Sequence, residues 1–593
     1  MNYRPKNNKP KPSNKDASMR ENVIGFFVVF VGVIFMTRLF YLQVIKHDDY
    51  DKIAKSQHER KYIIPAKRGT IFFSDNNNKT VPAVLNSSVF SLYADPKEVK
   101  DPETVANKIT NLIGGNKADY KSELEREDTR YTVLAPRLSL EQANKIKDQD
   151  DLKGLGLTEV PQRSYPEGSV GSQLLGFVNS EGEGQYGVEG YFNDQLSGKD
   201  GVRRTVASAS GVPLTIINDD KDSLTSAEDG ASVYLTIDRT VQLELENVLK
   251  KTVEDASADS ASAIIMNPNN GQVVAIGNYP TYNPSEYYKA EDASIFLNKA
   301  VSDGTEVGSV IKTLTMAAGM DLGVINKDST YNNTNYVQIE DRTISNATKT
   351  HLGSTTMTEV LQNSLNTGVV YVESQMGGGS INAQARNNLY TYFHDKYGFG
   401  ELTGIEQAGE AQGILYKPDD QEGNNVRYSN MAFGQGFTSS LVQGATAFSA
   451  VINGGTVYKP QMVSKIKFNN GKEQVNQPEI VRPNIVKPNV GADLQAMLIE
   501  AAGKIGTVPA REGYIFGGKT GTSQVVGEDG IYTKEGGRGT FLGFLGGDKP
   551  EYVMMIKVEN PKIDGFAGGQ TASPVFKQMS NWLIDYYKIP PKK

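Results

Sequence analysis

No cysteine occurs anywhere in the 593 residues. Disulfides, thiolate nucleophiles and cysteine-ligated zinc or iron–sulfur sites are excluded by that alone. Histidine is nearly as scarce. His47, His58, His351 and His394 are the four present, and no two are spaced as a ligand pair, so neither a metal nor another cofactor is expected. An excess of positive charge is missing too: a net charge of −7 speaks against a nucleic-acid partner, whose basic patches raise the pI of a domain. Tryptophan occurs once, and no apolar run after residue 45 approaches the length of a membrane span.

Before residue 45 there is such a run. Residues 1–22 are rich in Lys, Arg, Pro and Asn, a composition that predicts a disordered cytoplasmic tail. Residues 23–45, "VIGFFVVFVGVIFMTRLFYLQVI", are apolar except near the end. Twenty-three residues reach roughly 34 Å as a helix, enough for a bilayer. Arg38 lies close enough to the end to snorkel. Six basic residues precede the span, which puts the N-terminus in the cytoplasm and the rest outside. A cleaved signal peptide is the rival, but no small-x-small site follows the apolar run. The expectation is a single-pass protein of the cell membrane with an extracytoplasmic body.

That body divides by composition. Residues 46–228 mix short β-like runs such as "YIIPAKRGTIFFS" with helix-like stretches such as "PETVANKITNLI", and the polar bridge 217–232 reads as a linker. Residues 229–593 form the second domain. "VYLTID" predicts a strand, "RTVQLELENVLKKTVEDA" a helix with apolar residues at 241, 245 and 249, and "SAIIMNPNNGQVVAIGNYP" a hairpin. Strand character returns in "GTFLGFLGG" and "EYVMMIKVEN", and a closing helix carries Trp582. Strands at both sequence ends with helices between them predict an α/β (mixed α+β) domain built on an antiparallel sheet.

Gly513 through Thr520 fit the phosphate-loop pattern G-x-x-x-x-G-K-[ST]. A phosphate loop opens a helix, whereas "GTSQVVGEDGIY" after Thr520 suits a strand and turn, and nucleotides are scarce outside the cytoplasm. The lone G-x-G-x-x-G at 182–187 has no clear strand-to-helix setting either. A different chemistry fits better. Ser309 and Lys312 stand at i and i+3 of a helix-like run after Gly308, within hydrogen-bonding reach. A serine hydroxyl needs a base. With histidine scarce and no G-x-S-x-G elbow, a lysine made neutral by burial and neighbouring charge is the candidate. A second S-x-x-K, Ser464 to Lys467, alternates like a strand and would point its groups to opposite faces. What singles out the first is its company. Ser364 and Asn366 form an S-x-N about 55 residues on, and Lys519-Thr520-Gly521 with Thr522 follows about 155 further.

The three motifs in this order resemble those of the class B penicillin-binding proteins, the monofunctional peptidoglycan D,D-transpeptidases. "RLFYLQV", "IPAKRGTIF", "RSYPEGSVGSQLLGFV", "GQYGVEGYFNDQLSGKDG" and "FGQGFTSSLVQGATAFSAVINGGTVYKP" are similar to further signatures of that family. The resemblance implies a penicillin-binding/serine β-lactamase-like domain on an elongated N-terminal α+β pedestal of dimerisation type. It also implies roles. Ser309 would be the acylated nucleophile, Lys312 its proton acceptor, Ser364 a proton relay, and Asn366 a holder of the substrate amide. Lys519, Thr520, Gly521 and Thr522 would bind the terminal carboxylate of a D-Ala-D-Ala stem peptide. The backbone N–H groups of Ser309 and Thr522 would form the oxyanion hole. β-Lactams would bind covalently, making the protein an antibiotic target. The family further implies a SEDS-type membrane glycosyltransferase as partner, in division or in elongation.

One departure stands out: the family usually has Pro-Gly-Ser-x-Phe-Lys, where this chain has Val307 and Ile311 in place of Pro and Phe. The motifs do not separate transfer to an amine from hydrolysis, so a D,D-carboxypeptidase or β-lactamase stays open, and so does a non-catalytic β-lactam sensor or scaffold. The anchor and pedestal favour a synthase, and the completeness of all three motifs favours a working enzyme. A bifunctional protein is disfavoured. The E-D-x-x-F glycosyltransferase signature is not met near the anchor, since Glu291-Asp292 is far from it and is followed by Ile295.

Overall fold

A computed structural model describes residues 14–50, 59–77, 79–206, 224–347, 349, 352–506, 508–526, 532–563 and 568–592. The chain forms two compact units, Met1–Ala66 with Lys199–Glu228, and Lys67–Gly198 with Asp229–Lys593. In the first unit a helix, Asn14–Phe40, runs on through a π-helical turn, Tyr41–Ile45. It starts inside the stretch for which composition predicts disorder, and residues 1–13 lie outside the described residues. Its segment Glu21–Ile45 has a mean hydropathy of 2.4 and is long and apolar enough to cross a membrane. A small antiparallel sheet orders Glu59–Ile64, Gly201–Val206 and Leu224–Thr225. The last of these falls within the stretch expected to be linker, of which residues 217–223 lie outside the described residues.

In the second unit, strand Ser232–Asp238 pairs in parallel with Ile71–Ser74 and antiparallel with Val463–Lys467. One seven-stranded sheet therefore takes strands from both sides of residue 228, which is why residues 67–198 and 229–593 cohere. The pedestal part is fastened by charge. Glu189 is fully buried, and its carboxylate accepts from Arg68 Nε at 2.7 Å and from Arg163 Nε and Nη2 at 2.8 and 2.7 Å. Asn86 ties the two arginines, donating to Arg68 O and accepting from Arg163 Nη1. The three charged residues come from "IPAKRGTIF", "RSYPEG" and "GQYGVEGYF", so those signatures converge on one ion-pair knot.

The remainder is a five-stranded antiparallel sheet between helices. Asp238 caps helix α1, Arg239–Ala256, by accepting from the Thr240 and Val241 amides, and Val241, Leu245 and Leu249 are buried along one face as their spacing predicts. Strands β1, Ser260–Met266, and β2, Val273–Tyr279, form the expected hairpin. Its turn is built on Asn267, whose carbonyl accepts from Gly271 N, with Gly271 at φ +78°. Helices α2, Lys312–Asp321, α3, Asn366–Met376, α4, Leu441–Ile452, and α5, Pro488–Gly503, follow. The chain closes with β3, Ile515–Val526, β4, Tyr532–Gly546, β5, Pro550–Glu559, and helix α6, Ala572–Tyr587. The spatial order is β2-β1-β5-β4-β3, and β3 pairs only with β4 among the described residues.

Alternation along the strands divides the core. Phe541, Leu545 and Ile556 face α1 and α6, whereas Leu542, Phe544 and Met555 face the side of α2, α4 and α5. Helix α4 is buried on every side, as its nearly continuous apolar sequence requires.

Candidate active site

The first motif sits where α2 begins. Gly308–Ile311 is a 3₁₀ turn, and Lys312 opens the α-helix, so Ser309 stands one tight turn before Lys312, where i and i+3 side chains eclipse. Gly308 is at φ +68°, a conformation that glycine adopts without cost. Neighbouring backbone also demands the glycine: a Cβ there would lie 2.9 Å from Thr522 O and 3.4 Å from Thr522 N. The backbone N–H groups expected to form the oxyanion hole therefore belong to two segments of backbone that approach closely. Ser309 is half-buried, and its Oγ makes no hydrogen bond among the described residues.

Lys312 has no solvent exposure. Its Nζ donates to Ser364 O at 2.6 Å, Ser364 Oγ at 3.2 Å and Asn366 Oδ1 at 2.7 Å, which joins the first motif to the second. Burial holds its pKa well below the ordinary lysine value, and the charge of Lys519 adds to this. Ser364 lies in the left-handed region, φ +55°, between helix Met357–Gln362 and α3. Asn366 opens α3. Its Oδ1 faces Lys312, and its Nδ2 donates to Ser345 O at 2.9 Å. The amide expected to hold substrate thus already has one protein acceptor.

The third motif lies in β3, and no helix follows it, so the phosphate-loop pattern has no phosphate-loop structure. Alternation turns Lys519, Gly521 and Ser523 inward and Thr520 and Thr522 outward, with Thr522 exposed. Lys519 is buried, donates to Thr520 O at 2.9 Å, and is pushed by desolvation to a pKa of about 7. Gly521 is required by crowding, since a Cβ there would meet Thr540 Oγ1 at 2.2 Å and Val307 O at 2.9 Å. The second S-x-x-K is in strand Val463–Lys467, where Ser464 Oγ donates to Tyr234 O and Lys467 is exposed.

Several residues that hold the site have no sequence signal. Thr540 Oγ1 donates to Val307 O at 2.8 Å, Ser523 Oγ donates to Glu306 O at 2.9 Å, and Gly308 N donates to Gly434 O at 3.1 Å. Together they fix the turn at which the family's proline is replaced by Val307. Ile311 is fully buried in the α2 side of the core. Gly434, in "FGQG", is more than a turn glycine, because a Cβ on it would stand 2.0 Å from Gly308 O. Lys557 did carry a signal, a charge inside an apolar strand. It is buried and ion-paired with Asp303, upstream of the Gly308–Ile311 turn, and with Glu559 at 3.2 Å.

The penicillin binding protein transpeptidase domain matches residues 261–581, and the penicillin-binding protein dimerisation domain matches residues 63–235. Stage V sporulation protein D of Bacillus subtilis is 29% identical over 98% of this chain and 88% of its own length. Peptidoglycan D,D-transpeptidase FtsI of Escherichia coli is 26% identical over 99% of this chain and 95% of its own. Penicillin binding protein 2X from Streptococcus thermophilus shares the fold with a TM-score of 0.69 at 23% identity, covering 90% of this chain and 81% of its own. Penicillin binding protein 3 from Mycobacterium tuberculosis, complexed with aztreonam, does so with a TM-score of 0.66 at 22% identity, covering 90% and 98%. A buried lysine linking two motifs, a third motif on an edge strand and a transpeptidase-domain match over more than half the chain lead to one conclusion: the chain belongs to the class B penicillin-binding proteins, the serine-type peptidoglycan D,D-transpeptidases.

Proposed function

We propose that Ser309 is the nucleophile of this transpeptidase and that Lys312, Ser364, Asn366 and the β3 residues serve it in named roles. Ser309 Oγ attacks the carbonyl carbon of the penultimate D-alanine of a stem peptide, and its proton passes to Lys312 Nζ. The oxyanion is held by the N–H groups of Ser309 and Thr522, each such donor being worth about 3 to 4 kcal/mol. The C–N bond breaks, the proton reaches the leaving amine by way of Ser364, and terminal D-alanine departs. An acceptor amine then attacks the ester, gives up a proton by the reverse route and frees Ser309. Lys519, Thr520 and Thr522 receive the terminal carboxylate, and the open edge of β3 lets the peptide lie as an added strand. One observation carries this reading: Lys312 is fully buried against Ser364 and Asn366, so that its neutral amine can donate to Ser364 O and Asn366 Oδ1 and accept from the Ser364 hydroxyl, the link a relay needs. Hydrogen bonds of this kind tighten once substrate fills the site, so a bond from Lys312 to Ser309 Oγ is expected in the complex.

The helix Glu21–Ile45 and the six preceding basic residues support a single-pass anchor with the N-terminus in the cytoplasm and the catalytic domain outside. There it would work beside a SEDS-type glycosyltransferase. Because the chain is cysteine-free, the topology is tested with single cysteines. A membrane-impermeant maleimide added to intact cells should label Asp75→Cys and spare Met19→Cys.

The chemistry is tested with a fluorescent penicillin on the full chain. One covalent label per chain is expected, absent in Ser309→Ala and strongly slowed in Lys312→Ala. Labelling that survives Ser309→Ala would move the nucleophile elsewhere. Turnover of a stem-peptide thioester with and without a D-amino-acid acceptor separates transfer from hydrolysis.

A further inference from the structure

A cavity of about 440 Å³ opens between α3, the hairpin of Tyr336–Ile339 with Arg342–Ser345, and strand Thr330–Asn333. Its volume lies in the range of small-ligand sites. Three tyrosines line it, one from each element. Tyr331 and Tyr371 stack with ring centroids 5.5 Å apart, and Tyr336 is 60% exposed. Gln338 and Ser374 add an amide and a hydroxyl. Among the described residues of the lining Glu340 is the one that is charged, and its Oε1 accepts from Asn425 Nδ2 at 2.7 Å.

This chemistry selects against most of what a cell-wall enzyme meets. A carboxylate or phosphate would find no cation among the described residues of the lining. An uncharged ring bearing hydroxyl and acetamido groups fits, since its C–H face can lie on a tyrosine while amides and hydroxyls meet its edge. The floor of the cavity also reaches the catalytic centre. Tyr331 OH is 3.0 Å from Thr367 Oγ1, Thr367 N donates to Asn346 Oδ1, and the neighbouring Ser345 O holds Asn366 Nδ2.

We propose that this cavity is a saccharide subsite, taking an uncharged amino-sugar unit of the glycan that carries the stem peptides. The inference rests on the peptidoglycan reading above, and its test is separable from it. The full chain is held in lauryldimethylamine oxide micelles, a detergent without sugar, and titrated with chitotetraose under saturation-transfer NMR. Transfer to the acetyl and ring protons is expected, with affinity reduced at least tenfold in Tyr336→Ala and unchanged after Ser309 is blocked by penicillin. Fluorescent-penicillin labelling checks that the variant is folded. Should Tyr336→Ala not label, Ser374→Leu, which fills the cavity from α3, replaces it. No transfer at millimolar chitotetraose, equal affinity in the folded variant, or loss of binding on acylation would each overturn the proposal. Failure of the thioester assay with chitotetraose binding intact would instead remove the reaction and leave the subsite.

Discussion

A methyl group on Gly308 would lie 2.9 Å from the carbonyl oxygen of Thr522, so the two segments beside Ser309, the proposed nucleophile, touch backbone to backbone. Gly308→Ala therefore pushes β3 away from the nucleophile turn and also forces alanine into φ +68°. Displacing one oxyanion donor costs about 10² to 10³ in rate. The second-order rate of penicillin acylation should fall by at least that factor, while urea denaturation still shows a cooperative transition. An unchanged acylation rate would remove Thr522 N–H from the oxyanion hole.

Ser364 holds a left-handed backbone without being glycine. Such a residue carries about 1 kcal/mol or more of conformational strain. Ser364→Gly and Ser364→Ala both lose the relay hydroxyl, and both should acylate slowly. The glycine variant should nevertheless be the more stable of the two by about 1 kcal/mol in urea.

The two buried lysines give a signed pH dependence. Lys312 acts as a base only when neutral, so acylation should rise with pH through its depressed pKa and level off well below the ordinary lysine range. Lys519→Met removes the neighbouring charge, and the rising limb should shift to higher pH. Stability follows the same residues. Lys519 titrates at about 7 when folded and at 10.5 when unfolded. Between those values the unfolded chain binds more protons, so this group makes stability climb as pH rises. Urea midpoints at pH 7 and pH 9.5 should show a smaller rise in Lys519→Met than in the parent.

Glu189, between Arg68 and Arg163, is a buried charge satisfied on both sides. Truncating one member of such a set costs about 3 to 5 kcal/mol, because a buried charge is left uncompensated. Glu189→Ala should lower the unfolding free energy by that amount. The molecules that remain folded should acylate at the parental rate, since the knot supplies no group to the reaction.

The three motifs of the proposed site stand out in the sequence because reaction chemistry restricts residue type and order: a serine, its lysine and two later polar clusters are rare in combination. The apolar spacing of α1 likewise follows from local periodicity. What could not be read is whatever depends on segments meeting from far apart. Thr540 lies in "GTFLGFLGG", where it looks like any strand residue, yet it holds Val307 O. Gly434 looks like a turn glycine until Gly308 is placed against it. Arg68, Arg163 and Glu189 stood in three recognisable signatures, and only the fold shows that they meet.

Strand Ser232–Asp238 lies between Ile71–Ser74 and Val463–Lys467, with a partner on each side. A recombinant fragment cut at residue 229 would strip one of those partners away and present a row of bare amides and carbonyls to solvent. Such a row is a template for intermolecular pairing. Material prepared that way is expected to self-associate, and crystallisation or drug-screening samples should begin far enough upstream to keep Ile71–Ser74 in place.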